Sequence, residues 1–249
     1  ELTMAALEAG KHVLCEKPLT ANADEAVKVA EVAHREKRVC MEAFHWRYHP
    51  LAARMREILA SGEIGRVRRI ETFMCIPLPM PGDIRYDLSL AGGATMDTGC
   101  YAISMARHLA GAEPTVVSAK ATLKSPGVDR RMEAELAFDD GRTGHITCSL
   151  WSSTLVRVEA RVTGDAGEMV VTNPVAPQLL SWVKVRGENG TRREKVARTA
   201  TYTHQLRAFT DAVLHGTHVI SDVDDAVKNM RVIDAVYRAA GMQPRGLRA

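Results

Sequence analysis

The chain has 249 residues, of which 46% are hydrophobic and 25% are charged, a composition typical of globular proteins. Its formal net charge is +3, and its basic residues are not interleaved with aromatic ones, so composition argues against a nucleic-acid partner. No apolar run approaches the ~18 residues of a membrane span, and no membrane partner is expected.

The cysteines are typical of a reducing compartment. Their number, five, is odd, and their spacings are long, without a CxxC pair or a cluster with histidine. We therefore expect reduced core thiols in a cytoplasmic protein and no metal site. The cysteines are Cys15, Cys40, Cys75, Cys100 and Cys148.

The first elements predict a strand that ends at a lysine. Helix formers fill residues 2–7, and Gly10 is a typical helix stop. Residues 12–15 form a short apolar run, which indicates a buried parallel strand. Pro18 ends this strand because proline has no N–H to donate. Lys17 therefore lies at the carboxyl end of a strand, where open α/β sheets bind ligands.

A strand–helix–strand unit completes the first part of the chain. Asn22 and Glu25 have the spacing of a capping box, which predicts a helix start, and residues 39–44 predict the next strand. This arrangement is typical of the last part of a Rossmann-like domain, which we place at residues 1–46. A second α/β domain then occupies residues 47–249.

The second domain begins with a helix and a strand and continues to a glycine pair. Residues 50–59 predict the helix and residues 67–76 the strand, followed by a loop at 83–87. The pair at 92–93 lets the backbone approach a neighbour or ligand closely. A helix over 95–109 follows, with Asp97 and Tyr101 four residues apart on one face.

The remainder predicts a large sheet followed by two helices. Turns at 139–141 and 188–190 suit hairpins, and helices are predicted at 202–214 and 222–240. We expect a mostly antiparallel, open sheet with helices on one face. The predicted strands are 115–123, 131–138, 143–151, 156–163, 168–172, 179–185 and 193–196.

The other face of this sheet is expected to be apolar and to join copies of the chain. A homodimer or homotetramer through that face would keep the alternate residues from water. The alternative is that the last two helices cover the face and leave a monomer. The residues expected on this face are Val117, Ile146, Cys148, Leu150 and Val158.

Two motifs resemble one enzyme family. Residues 9–19 and the glycine pair followed by Asp97 and Tyr101 resemble the glucose-fructose oxidoreductase, inositol dehydrogenase and rhizopine-catabolism (Gfo/Idh/MocA) family. Tyr101 resembles the branch with dihydrodiol and xylose dehydrogenases, whereas inositol dehydrogenases carry histidine there. The resemblance implies a dehydrogenase that transfers hydride between NAD or NADP and a hydroxyl group of a sugar, polyol or diol. It also implies assembly sheet against sheet and a cis Lys17–Pro18 peptide.

The resemblance also implies roles for individual residues. The catalytic residues would be Lys17, Tyr101 and Asp97, with cofactor contacts from Glu16, Lys17, Pro18, Trp46 and Arg47. Apart from the resemblance, Arg85 and Tyr86 could reach the small-molecule substrate from their loop and join Lys17, Asp97 and Tyr101 there. Trp46 fits packing at the domain junction equally well, a loop arginine such as Arg85 is usually only solvated, and Tyr101 also suits a buried bond to a structural aspartate. His45 and His49 are weaker candidates.

The expected chemistry is proton transfer at an alcohol. A lysine beside the alcohol can bind its oxygen, and a positive nicotinamide would lower the pKa of that lysine towards the working pH. Tyr101 can take the same proton if a cation lowers its own pKa.

The sequence departs from the family pattern in one respect. No GxGxxG follows a strand, whereas a family member would carry about two or three further βα units with a phosphate-binding turn. The alternative reading is therefore a truncated, non-catalytic member that acts as a sugar-binding or oligomerising module.

Overall fold

The computed structural model describes residues 1–80, 82–188 and 190–247. Helices α1 to α6 span Leu2–Glu8, Ala23–Glu36, Pro50–Ala60, Cys100–Ala110, Thr201–His215 and Val223–Ala239. Strands β1 to β10 span Val13–Cys15, Cys40–Glu42, Val67–Cys75, Thr115–Ser125, Val128–Ala137, Thr143–Ser149, Arg157–Gly164, Glu168–Thr172, Trp182–Gly187 and Gly190–Lys195. Asn189, in the predicted turn at 188–190, lies outside the described residues.

The first part of the chain is a parallel strand pair with a helix between its strands. β1 pairs with β2 in parallel, so that Cys15 lies opposite Glu42. Helix α2 starts as predicted, because the side chain of Asn22 accepts a bond from the Glu25 amide. The end of the chain returns to this unit: α6 packs on α2, and the Ser221 hydroxyl donates to the Glu42 carbonyl.

The large sheet has eight strands in the order β10-β9-β8-β7-β3-β6-β5-β4. All neighbouring pairs are antiparallel except β3 and β6, which run parallel at its centre. The prediction of a mostly antiparallel sheet beside a Rossmann-like unit is confirmed. The strand from before the glycine pair, β3, enters the middle of this sheet.

Helices cover one face of the sheet. Helix α4 lies on β3 and β6, and the Thr72 hydroxyl donates to the carbonyl of Ala102 at 2.8 Å. Because side chains alternate along a strand, every second residue of β3 and its neighbours points to this helical layer. Ile146 is opposite Thr72 and therefore belongs to the covered face.

The expected placement of apolar residues on the open face is wrong. Ile146 and Cys148 are fully buried on the helical side, and Val158 lies there too, opposite Met74. Leu150 is also buried, and only Val117 is exposed. The alternation along the strands was predicted correctly, but the wrong one of the two faces was taken as the open one. Because alternate residues point to opposite faces, this error places every such side chain on the wrong side of the sheet.

The opposite face carries rows of charged side chains. Arg69 pairs with Glu135, which also accepts from His145 at 2.7 Å, and Arg161 pairs with Glu168. These pairs are partly exposed to solvent. Within the described residues, no helix is long and apolar enough to cross a membrane.

Candidate active site

Lys17 lies in a turn directly after β1. The Lys17–Pro18 peptide is cis, as the resemblance implies. The carboxylate of Glu42, at the end of β2, accepts a hydrogen bond from the Leu19 amide at 2.9 Å and holds the turn against the neighbouring strand. Glu42 is fully buried, and burial raises its pKa to about 7 although the Leu19 bond opposes the shift.

Asp97 lies in a π-helical turn, Thr95–Gly99, that leads into α4. Its amide donates to the carbonyl of Gly93 at 3.1 Å, so the glycine pair fixes where this turn begins. Gly93 adopts a φ of 141°, a conformation that favours glycine. Such wide turns often occur at functional sites.

Lys17 and Asp97 form the centre of the candidate site. The Lys17 Nζ donates to Asp97 Oδ1 at 2.9 Å and to the Asp97 carbonyl at 2.7 Å. It also lies 4.8 Å from the ring centroid of Tyr101. The structure therefore brings together the three residues predicted to be catalytic.

Lys17 is held as an ammonium ion. Burial lowers its pKa, but Cys100 and Asp97 raise it by more, so that it lies above the ordinary value. This direction is opposite to the lowering expected beside a positive nicotinamide. Without that charge, Asp97 favours the protonated lysine, which is a proton donor.

Tyr101 lies beside Lys17 on a histidine. Its hydroxyl is 3.3 Å from Nε2 of His45, and Phe44 packs edge-on against its ring. Burial raises the pKa of Tyr101, so the condition under which it could take the alcohol proton, a pKa lowered by a cation, is not met in this structure. Burial and the charge of Lys17 lower the pKa of His45 to about 4, so this imidazole is neutral at ordinary pH.

The direction of the His45–Tyr101 bond follows from the second ring nitrogen. Nδ1 of His45 is buried and has no partner among the described residues. An unpaired buried N–H is rarer in proteins than an unpaired acceptor, so we assign the proton to Nε2. His45 then donates to the Tyr101 oxygen and leaves the phenol proton free to face a ligand.

Lys17 and Asp97 border a cavity of about 580 Å³, whereas Tyr101 and His45 lie behind Lys17 and are not part of its wall. Arg85 reaches into the same site, with its Nε 3.2 Å from Asp97 Oδ2. Of the predicted site residues, the structure places Glu16, Lys17, Pro18, Arg85 and Asp97 in the cavity wall, and the other lining residues include the apolar Ile84, Leu90 and Met96.

Three predicted contacts lie elsewhere. Trp46 is fully buried and packs edge-on against His108, which agrees with its alternative reading as a packing residue. Arg47 forms an ion pair with Asp225. Tyr86 donates its hydroxyl to the carbonyl of Leu78. The structure gives no support to cofactor contacts by Trp46 and Arg47 or to a substrate contact by Tyr86.

Sequence reasoning missed Tyr202 and undervalued His45. Tyr202, on α5, stacks on His45 with ring centroids 4.3 Å apart. The position of His45 just after β2, at the same sheet edge as Lys17, was a usable signal. Tyr202 had none, because only the tertiary fold brings α5 to this edge.

The described residues fit the nicotinamide end of a dinucleotide. The cavity lies at the carboxyl ends of the parallel pair β1 and β2, where such sheets bind nucleotides. Lys17 and Glu16 leave those strands beside Asp97. This sequence contains no GxGxxG, the glycine-rich turn that holds dinucleotide phosphates after a strand.

The chain matches the models of the two domains of one enzyme family. Residues 1–44 match the oxidoreductase family with an NAD-binding Rossmann fold, and residues 52–170 match the GFO/IDH/MocA C-terminal domain. An NADP-dependent D-xylose 1-dehydrogenase of Haloferax volcanii is 35% identical over 95% of this chain and 73% of its own length.

Solved structures show the same fold. An aldose-aldose oxidoreductase from Caulobacter crescentus, in complex with glycerol, matches with a TM-score of 0.89 at 26% identity, over 96% of this chain and 73% of that one. KijD10, a 3-ketoreductase from Actinomadura kijaniata in complex with NADP and TDP-benzene, matches with a TM-score of 0.88 at 27% identity, over 96% and 74%.

Proposed function

Because the chain belongs to the GFO/IDH/MocA oxidoreductase family, we propose that it transfers hydride between NADP or NAD and a hydroxyl carbon of a sugar, polyol or diol. The observation that carries the proposal is the contact of Lys17 Nζ with Asp97 Oδ1 at 2.9 Å, beside the ring of Tyr101 at the edge of the strand pair. The NADP-dependent relatives favour NADP over NAD.

Each side chain has a distinct task in this proposal. The nicotinamide, when bound, supplies or accepts the hydride. Lys17 donates a proton to the carbonyl oxygen in reduction and takes it back in oxidation. Asp97 orients the Lys17 Nζ and stabilises its charge, while the phenol of Tyr101 donates a hydrogen bond to the same oxygen. Arg85 binds further hydroxyl groups of the substrate.

The raised pKa of Lys17 predicts opposite pH dependences for the two directions. Reduction needs the ammonium form, so its kcat should hold at neutral pH and fall as pH rises through the lysine pKa. Oxidation needs the free amine, so its kcat should rise with pH, and it should do so at lower pH than the fall in reduction because the oxidised nicotinamide is positive. Initial rates in both directions from pH 6 to about pH 11 would check this.

The direct experiment is an activity assay on the protein that carries this chain. NADP and NAD are offered with aldoses, polyols and trans-diols, and the reduced cofactors with the matching carbonyl compounds. Lys17→Ala should lower kcat on the order of 10²–10⁴-fold. Lys11→Ala, an exposed lysine of the same motif, is the matched control and should keep the wild-type rate.

Failure to turn over any of these compounds would favour the alternative of a sugar-binding or oligomerising module. An unchanged rate in Lys17→Ala, with the wild type active, would remove Lys17 from the mechanism.

The domain boundary proposed at residues 46 and 47 is supported by the two family matches, which leave residues 45–51 between them.

We also propose a cytoplasmic homo-oligomer. All five cysteines are free thiols, which supports the reducing compartment.

Assembly would use the charged face of the large sheet rather than the apolar residues first expected there. Light scattering on concentration should give a dimer or tetramer, and Glu135→Lys should lower its mass. A one-chain mass that holds on concentration would contradict this.

A further inference from the structure

A buried carboxylate outside the cavity receives four hydrogen bonds. Asp129, at the start of β5, is fully buried. Its Oδ2 accepts from the amide and hydroxyl of Thr95, both at 2.7 Å. Its Oδ1 accepts from the Tyr237 hydroxyl at 3.1 Å and from Nη2 of Arg245 at 2.8 Å. Buried charges are retained only when they are paired in this way.

Arg245 contacts both parts of the molecule. Its guanidinium is 3% exposed, lies over the ring of Tyr237, and donates from Nε to the carbonyl of Gly92 at 2.8 Å. The main-chain carbonyl of Arg245 accepts from the side chain of Asn22 at 2.9 Å. Asn22 caps α2, which begins soon after the Lys17–Pro18 turn.

These contacts reach the candidate catalytic groups through the backbone segment that carries Asp97. Thr95 opens the π-helical turn that carries Asp97, and Gly93 accepts from the Asp97 amide and donates to the carbonyl of Arg85. A Cβ on Gly93 would lie 2.2 Å from Asp129 Oδ1, so the glycine is required for this close approach.

We propose that Arg245 and Asp129 are positioning residues that set the distance between Lys17 and Asp97. The pair ties the C-terminal segment to the glycine pair and the π-helical turn on one side and to the start of α2 on the other. Neither side chain lines the cavity. The role in turnover rests on the proposed function, whereas the effect on geometry is independent of it.

The first test is kinetic and uses the protein that carries this chain. Arg245→Lys keeps a charge for Asp129 but lacks the fork that reaches Gly92 as well. We expect kcat to fall on the order of 10²-fold, the loss typical when catalytic groups such as Lys17 and Asp97 are displaced by about 1 Å. The KM for the cofactor should stay unchanged. Arg231→Lys, an exposed position on α6, is the control and should behave as wild type.

Chemical rescue separates positioning from general stability. Arg245→Ala should regain part of its kcat in millimolar ethylguanidinium, which can occupy the vacated site, while Lys17→Ala should not respond. An Arg245→Lys enzyme with wild-type kcat, or an Arg245→Ala enzyme that folds and stays unresponsive to ethylguanidinium, would overturn the proposal.

The second test needs no activity, so it still decides the geometry if the proposed function fails. Hydrogen exchange in Arg245→Lys should accelerate at residues 15–22 and 92–99 while the strands β7 to β9 keep their wild-type rates. Uniform acceleration across the sheet would mean a purely structural pair and would overturn the proposal. Unchanged exchange at both segments would overturn it as well.

Discussion

The interior around Asp97 and the open face of the large sheet use the same ion-pair chemistry at different depths. Asp129 and Arg245 are 0% and 3% exposed, whereas Arg161 and Glu168 on the open face are 36% and 17% exposed. Water can replace the partner of a surface charge but not that of a buried one. We therefore expect the buried pair to fix local geometry and the partly exposed pairs to contribute little to it.

The largest expected effect comes from breaking the buried pair. Asp129→Ala leaves the guanidinium of Arg245 buried without its counter-ion and frees the Thr95 and Tyr237 donors. We expect about 3–5 kcal/mol less unfolding free energy, measured by urea denaturation. A decrease in unfolding free energy below about 1 kcal/mol would show that this buried pair contributes no more than a surface pair, and the difference between the two regions would not hold.

A second effect of similar kind concerns Glu42. Its folded pKa is raised from 4.5 to about 7, so its contribution to stability is full below about pH 4.5 and is lost as pH rises through about 7. The shift corresponds to about 3 kcal/mol. Glu42→Gln keeps the acceptor for the Leu19 amide and cannot ionise.

The difference in unfolding free energy between wild type and Glu42→Gln should therefore change by up to about 3 kcal/mol between pH 4.5 and pH 8, in favour of the variant at the higher pH. Urea titrations at several pH values would measure it. Parallel curves for the two proteins would show that Glu42 ionises in its ordinary range.

The smallest effect is expected on the open face. Glu168→Gln breaks a partly exposed pair with Arg161 on the charged rows, and the monomer should lose less than about 1 kcal/mol. The effect should shrink further in high salt. A loss equal to that of Asp129→Ala would contradict the division between the two regions.

Local motifs carried most of what the sequence could predict. The residues before Lys17 predict a short strand, Pro18 ends it, and Lys17 therefore lies at the ligand-binding carboxyl end of that strand. The glycine pair predicts the close approach of the backbone just before Asp97, which contacts Lys17. Both signals are short-range, so they survive without knowledge of the fold. The convergence of Lys17, Asp97 and Tyr101 followed from placing both motifs in one family.

What the sequence did not predict depends on long-range packing. The face of the sheet that holds Ile146 is set by which side α4 covers, and alternation alone leaves that choice open. Trp46 was assigned to the cofactor by resemblance, but its side chain packs in the interior. Asp129 and Arg245 carry no motif, because residues so far apart in sequence meet only through the fold.

The central claim is that Asp97 holds Lys17 as an ammonium ion at the reacting centre. NMR titration of ε-labelled lysine, with Lys17→Arg to assign the signal, measures the pKa of Lys17 directly. We predict a pKa above the ordinary 10.5 in the cofactor-free protein and a lower pKa in Asp97→Asn, where burial remains without the neighbouring carboxylate. A wild-type pKa at or below 10.5, or the same value in Asp97→Asn, would contradict it.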